Sequence, residues 1–272
     1  VKIAILQMTS GIDPAANART IVSAVTQAGV GGAKMLFTPE MSGLVDRDRS
    51  RGRASVRSEG DDVVLRAVCA AAKEQGIWVS IGSLAISGAR DDGRLVNRSF
   101  LIDPAGKVTA RYDKIHLFDV DLPTGESWRE SAAYAPGERA VVTESPLGKL
   151  GLTVCYDLRF PALYSALTDA GATVLTVPAA FTVPTGRAHW HLLLRARAVE
   201  AGAFVVAAAQ TGLHEDGRET FGHSLVVDPW GNVLLDMGTE PTLGMCDLDL
   251  AEVDRIRGRI PALSHRRPIT LT

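Results

Sequence analysis

Residues Leu95–Asp113 read LVNRSFLIDPAGKVTARYD. Two apolar-rich runs, Leu95–Ile102 and Val108–Asp113, flank Asp103-Pro104-Ala105-Gly106, a tight turn with proline second and glycine last. Proline presets the backbone at the second turn position, and glycine takes conformations that other residues avoid. The same Asp-Pro-x-Gly pattern returns at Asp228-Pro229-Trp230-Gly231, between Glu219–Val227 and Val233–Met237. Strands that pair antiparallel around these turns exclude a purely parallel sheet.

Working outward, strands alternate with helices. Val1–Met8 is a short apolar run. Asp13-Pro14 offers an N-cap and a first-turn proline for a helix ending near Gly29. Met35–Phe37 is a second strand. Asp61 or Asp62 caps a helix with Val64, Val68, Ala71 and Ala72 at helical spacing, and Gly76 closes it. Ile77–Ile86 pairs with Leu95–Ile102. Asp119–Glu138 is polar and without periodicity. Strands follow at Val141–Glu144, Leu150–Val154, Thr173–Val177, Phe204–Ala209 and Met245–Leu250, with helices at Pro161–Ala170, Ala188–Ala201 and Glu252–Ile260. Each Asp-Pro-x-Gly turn comes after a similar run of strand, helix and strands, which hints at two related halves. Nothing between them reads as a linker, so the expected unit is one α/β domain: two packed sheets with helices outside.

Composition narrows the function. The 272 residues suffice for a sizeable core, and 46% hydrophobic with 22% charged residues is the balance of a folded globular protein, not a disordered one. No apolar run approaches the roughly 20 residues of a membrane helix. A formal charge of −2 supplies no global field for nucleic acid or anionic lipid. The opening VKIAILQM reads as a buried strand and not as a signal peptide. Cys69, Cys155 and Cys246 are odd in number and far apart, which suits neither a disulfide framework nor a metal cluster and points to a reducing cytoplasm.

Three chemically different groups stand just past strand ends. Cys155 follows Leu150–Val154, and Pro161 then starts a helix. Ligands in α/β folds gather at such ends, and backbone N–H groups in the following turn can stabilise a thiolate or an oxyanion. The alternative is a packed structural cysteine, the reading that suits Cys69 and Cys246. A nucleophilic thiol needs a base: His116, His189, His223 and the carboxylate Glu40 are all available by spacing. Glu40 follows Met35–Phe37, and Lys114 follows Val108–Asp113, so both can converge with Cys155 on one rim.

Phe37-Thr38-Pro39-Glu40-Met41, the run YDKIHLFD at Tyr112–Asp119 and the run VCYDLRFP at Val154–Pro161 occur in that order. They closely resemble the three signature blocks of the nitrilase (carbon–nitrogen hydrolase) superfamily. The resemblance continues through Ala188-His189-Trp190, Arg195–Glu200, Ala207–Gln210 and Gly222–Gly231, almost the whole chain. It implies a four-layer α-β-β-α sandwich, a single domain over 1–272, assembly as a homodimer or larger, and neither metal nor cofactor. It implies Glu40 as general base, Lys114 as catalytic lysine, Cys155 as nucleophile and Glu130 as a second glutamate. Lys114 and the Tyr156 backbone N–H would stabilise the oxyanion of an amide being cleaved through a cysteinyl thioester. His116, His189 and His223 then return to packing and hydrogen-bonding roles.

Within the superfamily the chain resembles the Nit-type small amidases. Ala207–Gly212 with His214 looks most like the deaminated glutathione amidase branch; the alternative is ω-amidase, acting on 2-oxoglutaramate-type amides, or another amidase or carbamoylase. Departures occur at Arg187, His191 and Ala162, where that branch commonly has proline, glutamate and glutamate. Arg159, four residues after Cys155, is a candidate for holding a substrate carboxylate through its two-pronged guanidinium; the alternative is a salt bridge to Asp157 or Glu200. The arginine-rich segment Asp46–Arg57 reads as a mobile solvated loop that could border the pocket entrance and meet an anionic substrate. A non-catalytic binding protein, a thiol-redox protein and a nitrile hydrolase are the rival readings. Intact Glu40, Lys114 and Cys155 argue against the first, and the absence of a neighbouring resolving cysteine argues against the second.

Overall fold

Lys2–Gln7 divides its side chains between two cores. Ile3 and Ile5 enter one apolar cluster and Ala4 and Leu6 the other, the two-residue alternation of a strand covered on both faces. The computed structural model describes residues 1–121, 125 and 127–270. Residues 122–124 and 126, within the polar stretch Asp119–Glu138, and 271–272, at the end of the single-domain reading, lie outside the described residues.

The first sheet runs in the order Thr242–Asp247, Lys2–Gln7, Met35–Phe37, Trp78–Ser87, Val96–Ile102, Val108–Asp113, with Arg57–Ser58 paired to the end of Trp78–Ser87. The second runs Val141–Ser145, Gly148–Leu152, Val174–Thr176, Phe204–Ala207, Leu225–Val227, Val233–Asp236. Counted from Lys2–Gln7 in one and Gly148–Leu152 in the other, two parallel pairings are followed by two antiparallel ones, and an antiparallel strand flanks the far side of both. The last two strands of each series are joined by an Asp-Pro-x-Gly turn. Asp103 Oδ1 accepts from Ala105 and Lys107 N–H; Asp228 Oδ1 accepts from Trp230 and Asn232 N–H. Gly106 and Gly231 both take positive φ, 77° and 89°. The two halves therefore share one topology, as the repeated turn suggested.

Pro14–Val30 and Val63–Gln75 cover the outer face of the first sheet, packing Ile21, Val25, Val64 and Val68 on Ala4, Leu36 and Val79. Asp13 and Asp62 cap them, each side chain accepting a backbone N–H from the first turn, and Gly76 ends the second in the left-handed conformation. Pro161–Asp169 and Val183–Ala201 cover the second sheet through Leu163, Leu167, Trp190 and Leu194. The same cluster takes in Ile3, Ile5, Met35 and Phe37 from the inner face of the first sheet. The layers are helix, sheet, sheet, helix, the sandwich expected from the family resemblance.

Several local expectations change. The long second-half helix begins at Val183, not Ala188, because Thr182 and Pro184 open it five residues earlier. Glu219–Val227 is not one strand: Glu219–Phe221 pairs with Thr211–Leu213, and only Leu225–Val227 joins the sheet. Gly222 and His223, at φ 72° and 54°, make the break. Asp46–Arg57 is no plain loop. Arg49–Ser55 is helical, Asp48 caps it, and Arg51 forks onto Asp46. In the polar stretch, Asp119–Asp121 and Ser127–Arg129 form a small antiparallel pair, followed by a 3-10 turn at Glu130–Ala132.

Candidate active site

Glu40, Lys114 and Cys155 each stand just beyond a strand end, and all three line one cavity of about 610 Å³. That size suits a small-molecule site. The cavity opens where the two sheets meet, so its wall draws on both halves.

Glu40 is 4% exposed. Its Oε1 accepts from Lys114 Nζ at 2.9 Å and from Asn97 Nδ2 at 2.9 Å, and its Oε2 accepts from the Ala180 N–H at 3.0 Å. A carboxylate offers about four acceptor positions. Three are filled, and Cys155 lines the same cavity as Glu40.

Lys114 is also buried and gives a second hydrogen bond, 2.8 Å, to Glu130 Oε2. Burial opposes its charge, but Glu130 and Glu40 outweigh burial and hold the ammonium well above its usual range. Glu130 is fixed in turn by the Phe118 N–H at 2.7 Å and Asn97 Nδ2 at 3.1 Å. Asn97 thus ties the two carboxylates together, and its backbone C=O accepts from the Lys114 N–H at 2.9 Å. Sequence reasoning missed it. The available signal was an amide in an otherwise largely apolar strand, where an unpaired polar group would be costly.

Cys155 starts a 3-10 turn, Cys155–Arg159, with φ of 51°. That left-handed conformation costs a side-chain-bearing residue about 1–3 kcal/mol and must be held by its surroundings. The Cys155 N–H donates to Pro178 C=O at 2.9 Å, and Arg197 donates twice to Leu158 C=O. Asp157, wholly buried, accepts from Val154 N–H, Tyr112 O–H and His116 N–H, which ties the cysteine turn to the segment carrying Lys114. Burial and then the Glu40 charge push the Cys155 thiol well above its usual range, against the pull of Lys114. Its surroundings thus favour the neutral thiol over the thiolate.

Residues 2–258 match the carbon-nitrogen hydrolase family. The chain is 38% identical over 266 residues to a deaminated glutathione amidase from Yersinia enterocolitica, covering 97% of this chain and 92% of that protein. The chain belongs to the carbon–nitrogen hydrolase family. Among solved structures it superposes on the NitFhit protein of C. elegans with a TM-score of 0.90 at 36% identity, covering 98% of this chain and 65% of that longer one. It also superposes on an amidase from Nesterenkonia sp. AN1, with a TM-score of 0.79 at 31% identity, covering 96% and 98% of the two chains; that structure shows acrylamide added to the active-site cysteine of a glutamate-to-glutamine variant. This carbon–nitrogen hydrolase is an enzyme acting on amide bonds. Among its described residues, no helix is long and apolar enough to cross a membrane.

The hydrolase places Arg159 differently from the other sequence candidates. Its guanidinium lies over the rings of Tyr156 and Phe181, at 5.9 and 5.7 Å, and meets His189 Nδ1 at 3.3 Å. The cavity wall includes Tyr156 and Phe181 but not Arg159. Neither expected ion pair forms: Asp157 is bonded as described, and Glu200 accepts from Arg197. His116 stacks on Phe160 at 3.6 Å and bonds Asp157. Away from this site, His191 and His223 meet the two oxygens of Asp236 at 2.9 and 2.8 Å. Their candidate ligand atoms lie within 4.8 Å of one another, a set that could hold a metal ion and whose wide sequence spacing gave no signal. The segment Asp46–Arg57 does border the cavity, through Arg47, Arg49 and Arg53.

Proposed function

We propose that this hydrolase is a thiol amidase that cleaves deaminated glutathione, the 2-oxo analogue of glutathione, through a thioester on Cys155. The observation that carries the reading is the Glu40–Lys114–Glu130 network in the wall of the cavity that Cys155 also lines. An amide carbonyl is a poor electrophile, so covalent catalysis splits its hydrolysis into two easier steps. Glu40 takes the thiol proton as sulfur bonds to the amide carbon and the carbonyl π pair moves onto oxygen. Lys114 has three N–H donors and two carboxylate partners, so its third donor meets that oxyanion together with the Tyr156 backbone N–H. Collapse breaks the C–N bond, and the departing amine takes the proton from Glu40. Water then gives a proton to Glu40 as it attacks the thioester, and collapse returns the proton to Cys155 with release of the acid. Glu130 keeps Lys114 charged and in place.

Support for deaminated glutathione comes from the relatives of that name that match nearly the whole chain. The test is direct. Deaminated glutathione, 2-oxoglutaramate, a neutral aliphatic amide and a nitrile are supplied in turn, and released acid is quantified with intact-mass detection of the acyl-enzyme. Preferred release of 2-oxoglutarate from deaminated glutathione is expected; preference for the nitrile, or no acyl-enzyme, overturns the reading.

The chain 1–272 acts as one domain on this reading, supported by the family match across 2–258. We also infer a homodimer or larger assembly working in the cytoplasm. Leu192, Val199 and Trp230, each more than half exposed, support the former, and three unpaired cysteines support the latter.

A further inference from the structure

The wall of the catalytic cavity carries buried donors that no described residue satisfies. Trp128 Nε1–H is buried and has no hydrogen-bond acceptor among the described residues, and the same holds for Arg218 Nε. Both residues line the cavity that holds Cys155. A buried unmade hydrogen bond to a charged donor is costly, and retained ones mark places where something else accepts.

The two donors belong to one cluster. The Arg218 guanidinium lies 4.7 Å from the centre of the Trp128 ring, and the Arg47 guanidinium lies 5.4 Å from the same ring. One indole therefore gathers two cations, and its own N–H adds a third centre of positive potential. The other arginines of the cavity wall are engaged: Arg49 with Arg129 C=O, Arg53 with Gly93 C=O and Arg129 with Asp121. Asp46 is held by Arg51. Among the described residues, the carboxylate nearest to Arg218 is Asp216, at 3.6 Å from Nη2, too far for a hydrogen bond, and its own Oδ2 has no partner there. Burial and the Arg47 charge press the Arg218 guanidinium below its usual range, with Asp216 opposing. A guanidinium stays charged at neutral pH all the same. An anion set among these donors satisfies the unmade bonds and relieves the repulsion of the two arginines.

We propose that Arg218, Arg47 and the Trp128 indole N–H form a carboxylate subsite of the cavity, reading a substrate carboxylate remote from the scissile amide. The proposal rests on the amidase reading and deepens it, since it assigns the selectivity for anionic amides to these residues instead of Arg159. Planar donors facing a carboxylate orient the far end of the substrate, and orientation is what brings the amide carbon to sulfur.

The test pairs anionic and neutral substrates. For Arg218→Gln, kcat/KM on deaminated glutathione is expected to fall about 10- to 100-fold, mostly through KM, and at least tenfold more than on a neutral amide of similar length. Trp128→Phe keeps an aromatic face and removes the donor, and about a 3- to 10-fold selective loss is expected. Arg47→Gln should act in the same direction. 2-Oxoglutaramate carries only the carboxylate on the acyl side. A loss shared by both anionic substrates assigns the subsite to that carboxylate, and a loss confined to deaminated glutathione assigns it to the leaving-group carboxylate. Equal losses on neutral and anionic amides, or none, overturn the proposal. A binding measurement keeps it separate from the amidase reading: calorimetry of glutarate with Cys155→Ala protein should show binding that Arg218→Gln, added to that variant, weakens at least tenfold. Failure of every amide to turn over while this binding persists would sink the amidase reading and leave the subsite standing. Absence of glutarate binding, with a melting curve showing the protein folded, would sink the subsite.

Discussion

Glu40 Oε2 accepts a hydrogen bond from the Ala180 N–H at 3.0 Å, across the junction between the two halves of the molecule. Glu40 leaves the first sheet after Met35–Phe37, and Ala180 leaves the second after Val174–Thr176, the matching strand in the shared topology. Gln210 strengthens the same junction by donating to the Glu40 C=O at 3.0 Å. The carboxylate proposed as the base is therefore aimed by the packing of one sheet on the other.

Glu40→Gln should reduce hydrolysis by roughly 10²- to 10⁴-fold, because an amide side chain cannot take the thiol proton. The substitution also removes the charge that helps raise the Cys155 thiol. Reaction of Cys155 with a Michael acceptor should consequently persist while turnover disappears. Mass spectrometry after acrylamide treatment checks this; retained turnover would exclude Glu40 as the base.

Lys114→Met should be both inactive and unstable. It leaves Glu40 and Glu130 buried without their shared cation, and a broken buried ion pair costs about 3–5 kcal/mol. Denaturant unfolding would show the deficit. Unfolding stability equal to the parent's would argue against the buried-charge explanation.

Gly82→Ala tests the meeting of the two halves from the backbone side. A Cβ at Gly82 would lie 2.2 Å from Thr38 O, 2.4 Å from Pro39 O and 2.5 Å from Pro178 Cβ. Thr38 and Pro39 lead into Glu40, and the Pro178 C=O accepts the Cys155 N–H, so both segments must shift. A destabilisation of about 1–3 kcal/mol with a disproportionate loss of kcat is expected. Normal kinetics in the variant would show that the site tolerates displacement there.

His214 should give stability a pH dependence. Its Nδ1 and Nε2 meet Ser10 C=O and the Thr220 hydroxyl, both at 2.8 Å. Burial holds it below its ordinary 6.5, helped by Arg218, while the Ser10 contact and Asp216 oppose. The unfolded chain therefore takes up the proton first as pH falls. This contribution is fully present above about 6.5 and is lost progressively below it. Melting temperatures from pH 8 to 5 should fall less steeply in His214→Gln than in the parent; parallel curves would remove His214 from the account.

Arg159→Lys should lower kcat/KM on neutral and anionic amides alike. The guanidinium packs on Tyr156 and Phe181 behind the cavity wall, and an ammonium stacks less well than its planar fork. A loss confined to anionic amides would return Arg159 to the role of reading the carboxylate.

Much of this protein was legible as sequence because its signals are local. The Asp-Pro-x-Gly turns, the caps at Asp13 and Asp62 and the short apolar run Val1–Met8 act over a few residues, so they name strands and helices directly. The blocks around Glu40, Lys114 and Cys155 carried the resemblance that supplied the family and the layer order. Gly222 and His223 were harder to read, since a change of strand partner depends on a pairing outside the segment. Asn97, Asp157 and Ala180 act through contacts 33 to 140 residues away, for which periodicity has no signal. Arg159 and Arg218 show the division most plainly. Proximity in the chain favoured Arg159, but the direction a side chain takes from a 3-10 turn, and the solvent excluded around it, are settled by packing. Packing sent Arg159 behind two aromatic rings and brought Arg218, 59 residues further on by numbering, to the cavity wall beside Trp128.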